Sequence, residues 1–119
     1  MGWDAYATRE GRGLDRVTDA EALGAFRAAA AEVAARAGAV DCQLEGGRLD
    51  TWLCRVYIER ATGHLAGNVG WRAEELRERV RAAAWPEEWE VGEGEEWAAL
   101  SARRFLEVCA RYGLGAQFC

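Results

Sequence analysis

Lysine is absent, and all fifteen basic residues are arginine. Proline, histidine and isoleucine occur once each, as Pro86, His64 and Ile58. An all-arginine, isoleucine-poor composition is what a GC-rich coding sequence tends to produce, so it speaks of the genome and not of mechanism. A single histidine excludes most hydrolase triads and histidine-based metal sets at once. Cys42, Cys54, Cys109 and Cys119 are separated by 11, 54 and 9 residues, with no C-x-x-C pair. In a reducing compartment they read as free thiols, with Cys54 and Cys109 in the core and Cys119 exposed. Long apolar runs are missing too. The opening MGWDAYATREGRGLD lacks the apolar core of a signal peptide, nothing later approaches a membrane span, and neither common lipidation signal is present. A soluble, cytosolic chain without membrane contact is expected.

Half of the 119 residues are hydrophobic on a broad count, but 24 of these are alanine, and Leu, Ile, Val and Phe together number only 22. Each alanine buries little area, so closely approaching helices and the six tryptophans must supply much of the core. The length suits one domain. The expected organisation is a single helical domain over 1–119, mainly α, built as a compact bundle of about four to five helices with an extended N-terminal arm.

Residues Trp3 to Thr8 alternate aromatic and small side chains and read as extended, and Glu10-Gly11-Arg12-Gly13 reads as a turn. No convincing second strand is visible, so 3–8 is expected to be an arm packed on the helices. Thr18-Asp19-Ala20-Glu21 is a capping box, and Leu23, Phe26, Ala30, Val33 and Ala37 form one stripe ending at Gly38, which predicts a helix over 19–37. Val40 and Leu44 before Gly46-Gly47 suit a short helical turn. Two readings stay open over 39–62. Trp52, Cys54, Val56 and Ile58 alternate as in a strand, while Leu53, Val56, Tyr57 and Ala61 fall at helical spacing. Asp50 as N-cap, Gly63 as stop and the length of the run favour a helix over 49–62. The alternative is an α+β fold with a small hairpin at residues 39–60. Residues 63–70 form a glycine-rich loop without P-loop or dinucleotide spacing. Ala73, Leu76, Val80 and Ala83 or Ala84 predict a helix over 72–84 ended by Pro86, and Ala98, Ser101, Phe105, Cys109 and Tyr112 predict another over 95–112, closed by Gly113 and Leu114.

Between these two helices stands the stretch most unlike its surroundings, WPEEWEVGEGEEW from Trp85 to Trp97. Its six glutamates carry −6, so the chain's formal −5 would be about +1 without them. The acidity is local, and it sits among three large rings. One reading is a linker whose Trp85, Trp89 and Trp97 fold back onto a core short of large residues. The sharper one is a docking loop, in which negative charge steers to a basic surface and one or two tryptophans make the short-range contact.

Enzymatic readings find less support. The six glutamates lie in a polar, glycine-containing loop, whereas general acid catalysis needs a carboxylate held in a dry pocket. A pair of His64 with one of the cysteines, or a zinc site of His64 and three cysteines, lacks the close ligand spacing such chemistry usually shows. Arg72, Arg77, Arg79 and Arg81 share one helix and Arg103, Arg104 and Arg111 another. Glutamates interleave the first set, and the domain is acidic, so direct nucleic-acid binding is not expected.

The opening MGWDAYAT, the capped alanine-rich helix after it and the stretch ending ERATG resemble small uncharacterised proteins encoded by bacteriophages and prophages of GC-rich bacteria. The resemblance covers MGWDAYA and, loosely, the chain through Gly63. It carries over no catalytic residues and implies no cofactor. What it implies is context: small phage proteins often bind and block a host machine, anti-CRISPR inhibitors being one such class, and the place of action would be the host cytoplasm.

Three classes of function follow. The first is a non-enzymatic inhibitor of a host defence or nucleic-acid-processing protein with a basic surface, a CRISPR effector complex being one candidate. Its contacts would be Trp85, Glu87, Glu88, Trp89, Glu90, Glu93, Glu95 and Glu96, joined by Arg77 and Arg81. The second is a self-assembling structural or accessory protein, with a homodimer as its simplest form. The third is a small Cys/His metal-binding protein or enzyme.

Overall fold

A computed structural model of the chain describes residues 2–9, 15–38 and 43–119. Its elements in order are β1 (Ala5–Thr8), α1 (Ala20–Ala37), a 3₁₀ turn (Leu44–Gly46), β2 (Arg48–Leu49), α2 (Trp52–Thr62), β3 (Val69–Trp71), α3 (Ala73–Ala82), a second 3₁₀ turn (Glu88–Glu90), α4 (Glu96–Arg111) and β4 (Gly115–Phe118). The protein is thus mainly helical with a small antiparallel sheet, in the order β2-β1-β4-β3.

The extended arm at 3–8 is a strand, and it has partners on both sides. Ala5 pairs with Leu49 and with Phe118, and Ala7 with Ala116. On the far side of β4, Val69 faces Phe118 and Trp71 faces Ala116. Side chains alternate across a strand, so Ala5, Ala7, Leu49, Trp71, Ala116 and Phe118 share one face, and all six are buried. Alanines in the two central strands let the helices approach, while rings fill the ends: Trp71 meets Phe118 edge-on at 4.8 Å and Trp3 stacks on it at 6.0 Å. Trp3 also donates its indole N–H to the Ala66 carbonyl at 2.6 Å. The opposite face carries Tyr6, Arg48 and Gln117 in one row. Arg16 and Arg48 both lie over the Tyr6 ring, at 5.0 and 5.2 Å. The last part of the glycine-rich 63–70 segment, read from sequence as loop, supplies the edge strand β3.

The helices follow the apolar spacing closely. Helix α1 starts at Ala20 with Asp19 as its N-cap: the carboxylate accepts the Ala22 N–H at 2.9 Å, one residue along from the Thr18 box. Its buried residues are Ala22, Phe26, Ala29 and Val33, the anticipated stripe rotated part of a turn towards α4. For the ambiguous stretch the helix wins over Trp52–Thr62, and Gly63 at φ 73° closes it as expected. Val40 and Cys42 of the hairpin reading and the Glu10–Gly13 turn lie outside the described residues. Helix α3 stops at Ala82, short of Pro86, because Ala83 is already extended and Ala84 donates its N–H to the Ala61 carbonyl at 2.9 Å. No helix among the described residues is long and apolar enough to cross a membrane.

Helix α4 touches each of the other three helices as well as β2 and β4. Phe105 meets Phe26 of α1 at 5.8 Å, and Arg104 grips Glu32 of α1 through two nitrogens at 2.7 and 3.0 Å. The Arg104 hydrogen bond, helped by Arg36 and opposed by partial burial, lowers the Glu32 carboxyl from 4.5 to about 2. A carboxyl more acidic in the folded state than in the unfolded chain stabilises the fold above pH 4.5, and that contribution fades as pH falls towards 2. Glu32→Gln should therefore reduce unfolding free energy at pH 7 by about 1 kcal/mol, solvent screening included. In urea titrations the gap from the natural chain should close between pH 4.5 and 2. A gap constant with pH would mean that Glu32 acts through packing alone.

Candidate partner-binding surface

The acidic stretch is a strap running from the end of α3 to the start of α4, and three attachments hold it. At its start, the Ala84 N–H is bonded to α2. Near its end, the Tyr57 hydroxyl of α2 donates to Glu95 Oε1 at 2.6 Å and accepts the Gly92 N–H at 3.2 Å. Burial first, and the Glu95 hydrogen bond second, push the Tyr57 phenol above its ordinary value. A Cβ at Gly92 would lie 2.6 Å from Glu95 Oε1, so a larger residue there would displace the Glu95 carboxylate. Finally the Glu95 carbonyl accepts the N–H groups of Ala98 and Ala99, opening α4.

Between these anchors the strap divides its residues. Trp85 and Trp97 are half-buried against the core, while Trp89, lifted on the Glu88–Glu90 turn, is 80 % exposed. Of the six glutamates, Glu95 serves the fold through Tyr57. Glu87, Glu88, Glu90, Glu93 and Glu96 are exposed and make no hydrogen bond or ion pair with any described side chain. Elsewhere Glu32, Glu59, Glu75, Glu78 and Glu107 each hold an arginine, while Glu21, Glu45 and Glu74 are exposed without one among the described residues. Arg77 and Arg81 lie exposed on α3, and neither pairs with the strap. Arg81 is taken by Glu78 in a short bond of 2.5 Å.

Under the strap runs a groove of about 350 Å³. The strap lines it with Trp85, Pro86, Glu88 and Val91, α4 with Glu96, Ala99, Leu100 and Arg103, and the last turn of α1 with Arg36 and Ala37. Arg36 pairs with Glu32 at 2.9 Å and Arg103 with Glu107 at 3.2 Å, and both of these carboxylates are shared with Arg104. The lining of the groove thus carries charge of both signs.

No protein-family model matches the chain, and no curated protein or solved structure is significantly similar to it.

The groups of the metal and Cys/His readings lie as follows. His64 is exposed and edge-on to Trp71 at 6.4 Å. Cys54 and Cys109 are buried and Cys119 is exposed. Burial drives the Cys109 thiol far above its ordinary value, which suits a core side chain and opposes thiolate chemistry. Cys42 lies outside the described residues. Among those described, no three His, Cys, Asp or Glu side chains cluster as a metal site requires.

A second surface was not foreseen. Among the described residues, the large apolar side chains exposed besides Trp89 are Trp52, Val56, Leu65 and Val69. Trp52, Arg55, Val56 and Glu59 fall on one stripe of α2, and the 63–68 connection lies along it. Arg55 covers the Trp52 ring at 4.6 Å, its guanidinium fills the space beside Gly67, and Glu59 accepts the Ala66 N–H at 2.7 Å. The signal was in the sequence, since Cys54, Tyr57, Ile58 and Ala61 make a complete inner stripe for α2 and leave Trp52 outside it. The helical spacing read from the sequence, Leu53, Val56, Tyr57 and Ala61, concealed it by placing the exposed Val56 on the inner face.

The division of tryptophans is directly measurable. Trp89→Ala should shift unfolding free energy by less than about 0.5 kcal/mol, as exposed substitutions do. Trp85→Ala should cost about 2 kcal/mol, roughly half the value of a fully buried tryptophan. Urea unfolding of the two variants compares them, and equal losses would make Trp89 a packing residue.

Proposed function

We propose that this protein is a non-enzymatic inhibitor that docks on a basic surface of a host defence or nucleic-acid-processing protein through its acidic strap. The observation that carries this reading is the concentration, around one exposed tryptophan, of five exposed glutamates that have no ion pair among the described residues. Among the described residues, arginines answer carboxylates on α1, α2, α3 and α4, and none answers the strap. A patch of unanswered charge raises the rate of encounter with an oppositely charged surface, and a fixed indole supplies desolvated contact area on arrival. Nucleic-acid-handling proteins present such basic surfaces, and occupying one blocks its substrate without chemistry. The resemblance to small phage proteins adds the context of a host cytoplasm and makes a CRISPR effector complex one candidate target.

The test uses the natural chain and a variant with Glu87, Glu88, Glu90, Glu93 and Glu96 changed to glutamine, Glu95 being kept for the fold. Both are used for capture from a bacterial lysate at low and high salt, and the captured complex is assayed for nucleic-acid binding with and without added protein. The natural chain should retain, at low salt only, a complex whose nucleic-acid binding it suppresses, and the variant should retain none. Capture that is indifferent to salt and to the five substitutions would remove the strap from the interface.

A second reading, self-assembly, is favoured by the apolar surface of Trp52, Val56, Leu65 and Val69, which lies beside the edge strand β3. If that surface joins two copies, sedimentation should show a concentration-dependent dimer that Trp52→Ala with Leu65→Ser abolishes. A monomer throughout the accessible concentration range would end this reading.

A further inference from the structure

We infer that two copies of the chain join edge to edge through β3, with Gly70 of one paired to Gly70 of the other about a two-fold axis. This rests on the self-assembly reading and names the contact that aligns the copies. The ladder fixes where each amide of β3 points. Ala7 donates its N–H to the Gly47 carbonyl and accepts the Val17 N–H, so its polar groups face away from β4, and those of Tyr6 and Thr8 face towards it. The alternation passes on through β4: Gln117 turns its groups to β1, while Ala116 and Phe118 turn theirs to Trp71 and Val69. Gly70, between those two, therefore directs both its N–H and its carbonyl away from the sheet, where no described residue bonds to them. The next outward position, Arg72, is closed, because its N–H goes to the Glu75 carboxylate and its carbonyl to the Leu76 N–H. One free position remains within β3.

An edge with one free residue is matched by itself. In an antiparallel pair, opposite residues can exchange both N–H···O bonds, so Gly70 against Gly70 satisfies both copies at once and closes the assembly at two. In this register Val69 falls opposite Trp71 of the second copy and Arg72 opposite Asn68 of the second copy, so no like charges meet. The edge also lacks the usual guards: Val69-Gly70-Trp71 has no charge and no proline, whereas the edge at β2 carries Arg48. The apolar area agrees. Trp52, Val56, Leu65 and Val69 are 58, 39, 73 and 38 % exposed, which leaves roughly 400 Å² uncovered among them. An interface of standard size takes about 800 Å² from each partner, a little over half of it apolar. The four side chains supply most of that share, beside the one strand position that needs a partner.

Sedimentation of the natural chain is compared with that of Gly70→Pro, which removes the outward N–H and leaves every bond of β3 to β4 in place, and of Gly70→Ala, which keeps the N–H. Gly70→Pro should weaken dimerisation about tenfold or more, since each dimer loses two hydrogen bonds, and Gly70→Ala should change it by less than about threefold. Amide hydrogen exchange on the natural chain reads the same contact without a substitution. The Gly70 N–H should exchange about tenfold more slowly, or slower still, at concentrations where the dimer prevails than in dilute solution. If Gly70→Pro does not fold, this measurement decides. A dimer that Gly70→Pro leaves intact, an equal loss in Gly70→Ala, or a Gly70 amide that the dimer does not protect would each overturn the edge pairing while self-assembly through the apolar side chains survives. A chain that stays monomeric at every concentration would end both.

Discussion

The pairing of the chain's last strand between its first and third is the constraint on which the rest depends. Phe118 sits opposite Ala5 on one side and Val69 on the other, so the sheet is incomplete until the two ends of the chain have met. Because α4 leads into β4 through a short turn at Tyr112–Leu114, fixing the strand fixes the helix. Helix α4 then organises the others, holding α1 through Phe105 and Arg104 and standing against α2 and α3. The strap inherits its course from this arrangement. It must travel from the end of α3 to the start of α4, and the path crosses Tyr57 of α2.

Magnitudes explain how the fold carries so much unpaired acid in one place. Like charges three or four residues apart cost only a few tenths of a kcal/mol each when exposed, on the order of 0.2–0.5. A hydrogen bond to a charged group contributes about 1.5–3 kcal/mol. The Tyr57–Glu95 bond, with the half-buried rings of Trp85 and Trp97 packed on the core, therefore outweighs the mutual repulsion of the exposed glutamates. The same comparison limits what the surface ion pairs do for stability. Pairs such as Arg81–Glu78 are largely exposed and worth little, whereas Arg104–Glu32 joins two helices and is more sheltered.

What could be read from the sequence follows from how local each feature is. Helices α1, α3 and α4 announce themselves through apolar spacing and end signals that lie within their own residues. The alternation of Trp3 to Thr8 likewise marked an extended segment, but its partners are two residues of β2 and the GAQF of β4, far away in the chain and poor in strand-forming side chains. Val69-Gly70-Trp71 became a strand because Phe118 and Ala116 lie beside it, and its glycine argued otherwise. The acidic strap was legible as a composition and not as a geometry. Trp85, Trp89 and Trp97 are identical as letters, and what separates them is the Tyr57 anchor, 38 positions away from Glu95. Glu95 looked like its five neighbours for the same reason.

The anchoring of the strap bears on how the proposed docking would divide its work. A free acidic linker with a tryptophan would lose conformational entropy on binding, about 1–2 kcal/mol for each residue whose backbone becomes fixed. Here the Ala84, Gly92 and Glu95 contacts have already imposed much of that cost during folding, so the Trp89 indole would meet a partner in one arrangement. Charge and shape would then act on different rates. The exposed glutamates would set how often a basic surface arrives, an effect that salt erases. Trp89 would set how long the partner stays, because desolvated contacts must be broken before it leaves. A surface built in this way would tolerate many basic partners on approach and select among them on departure.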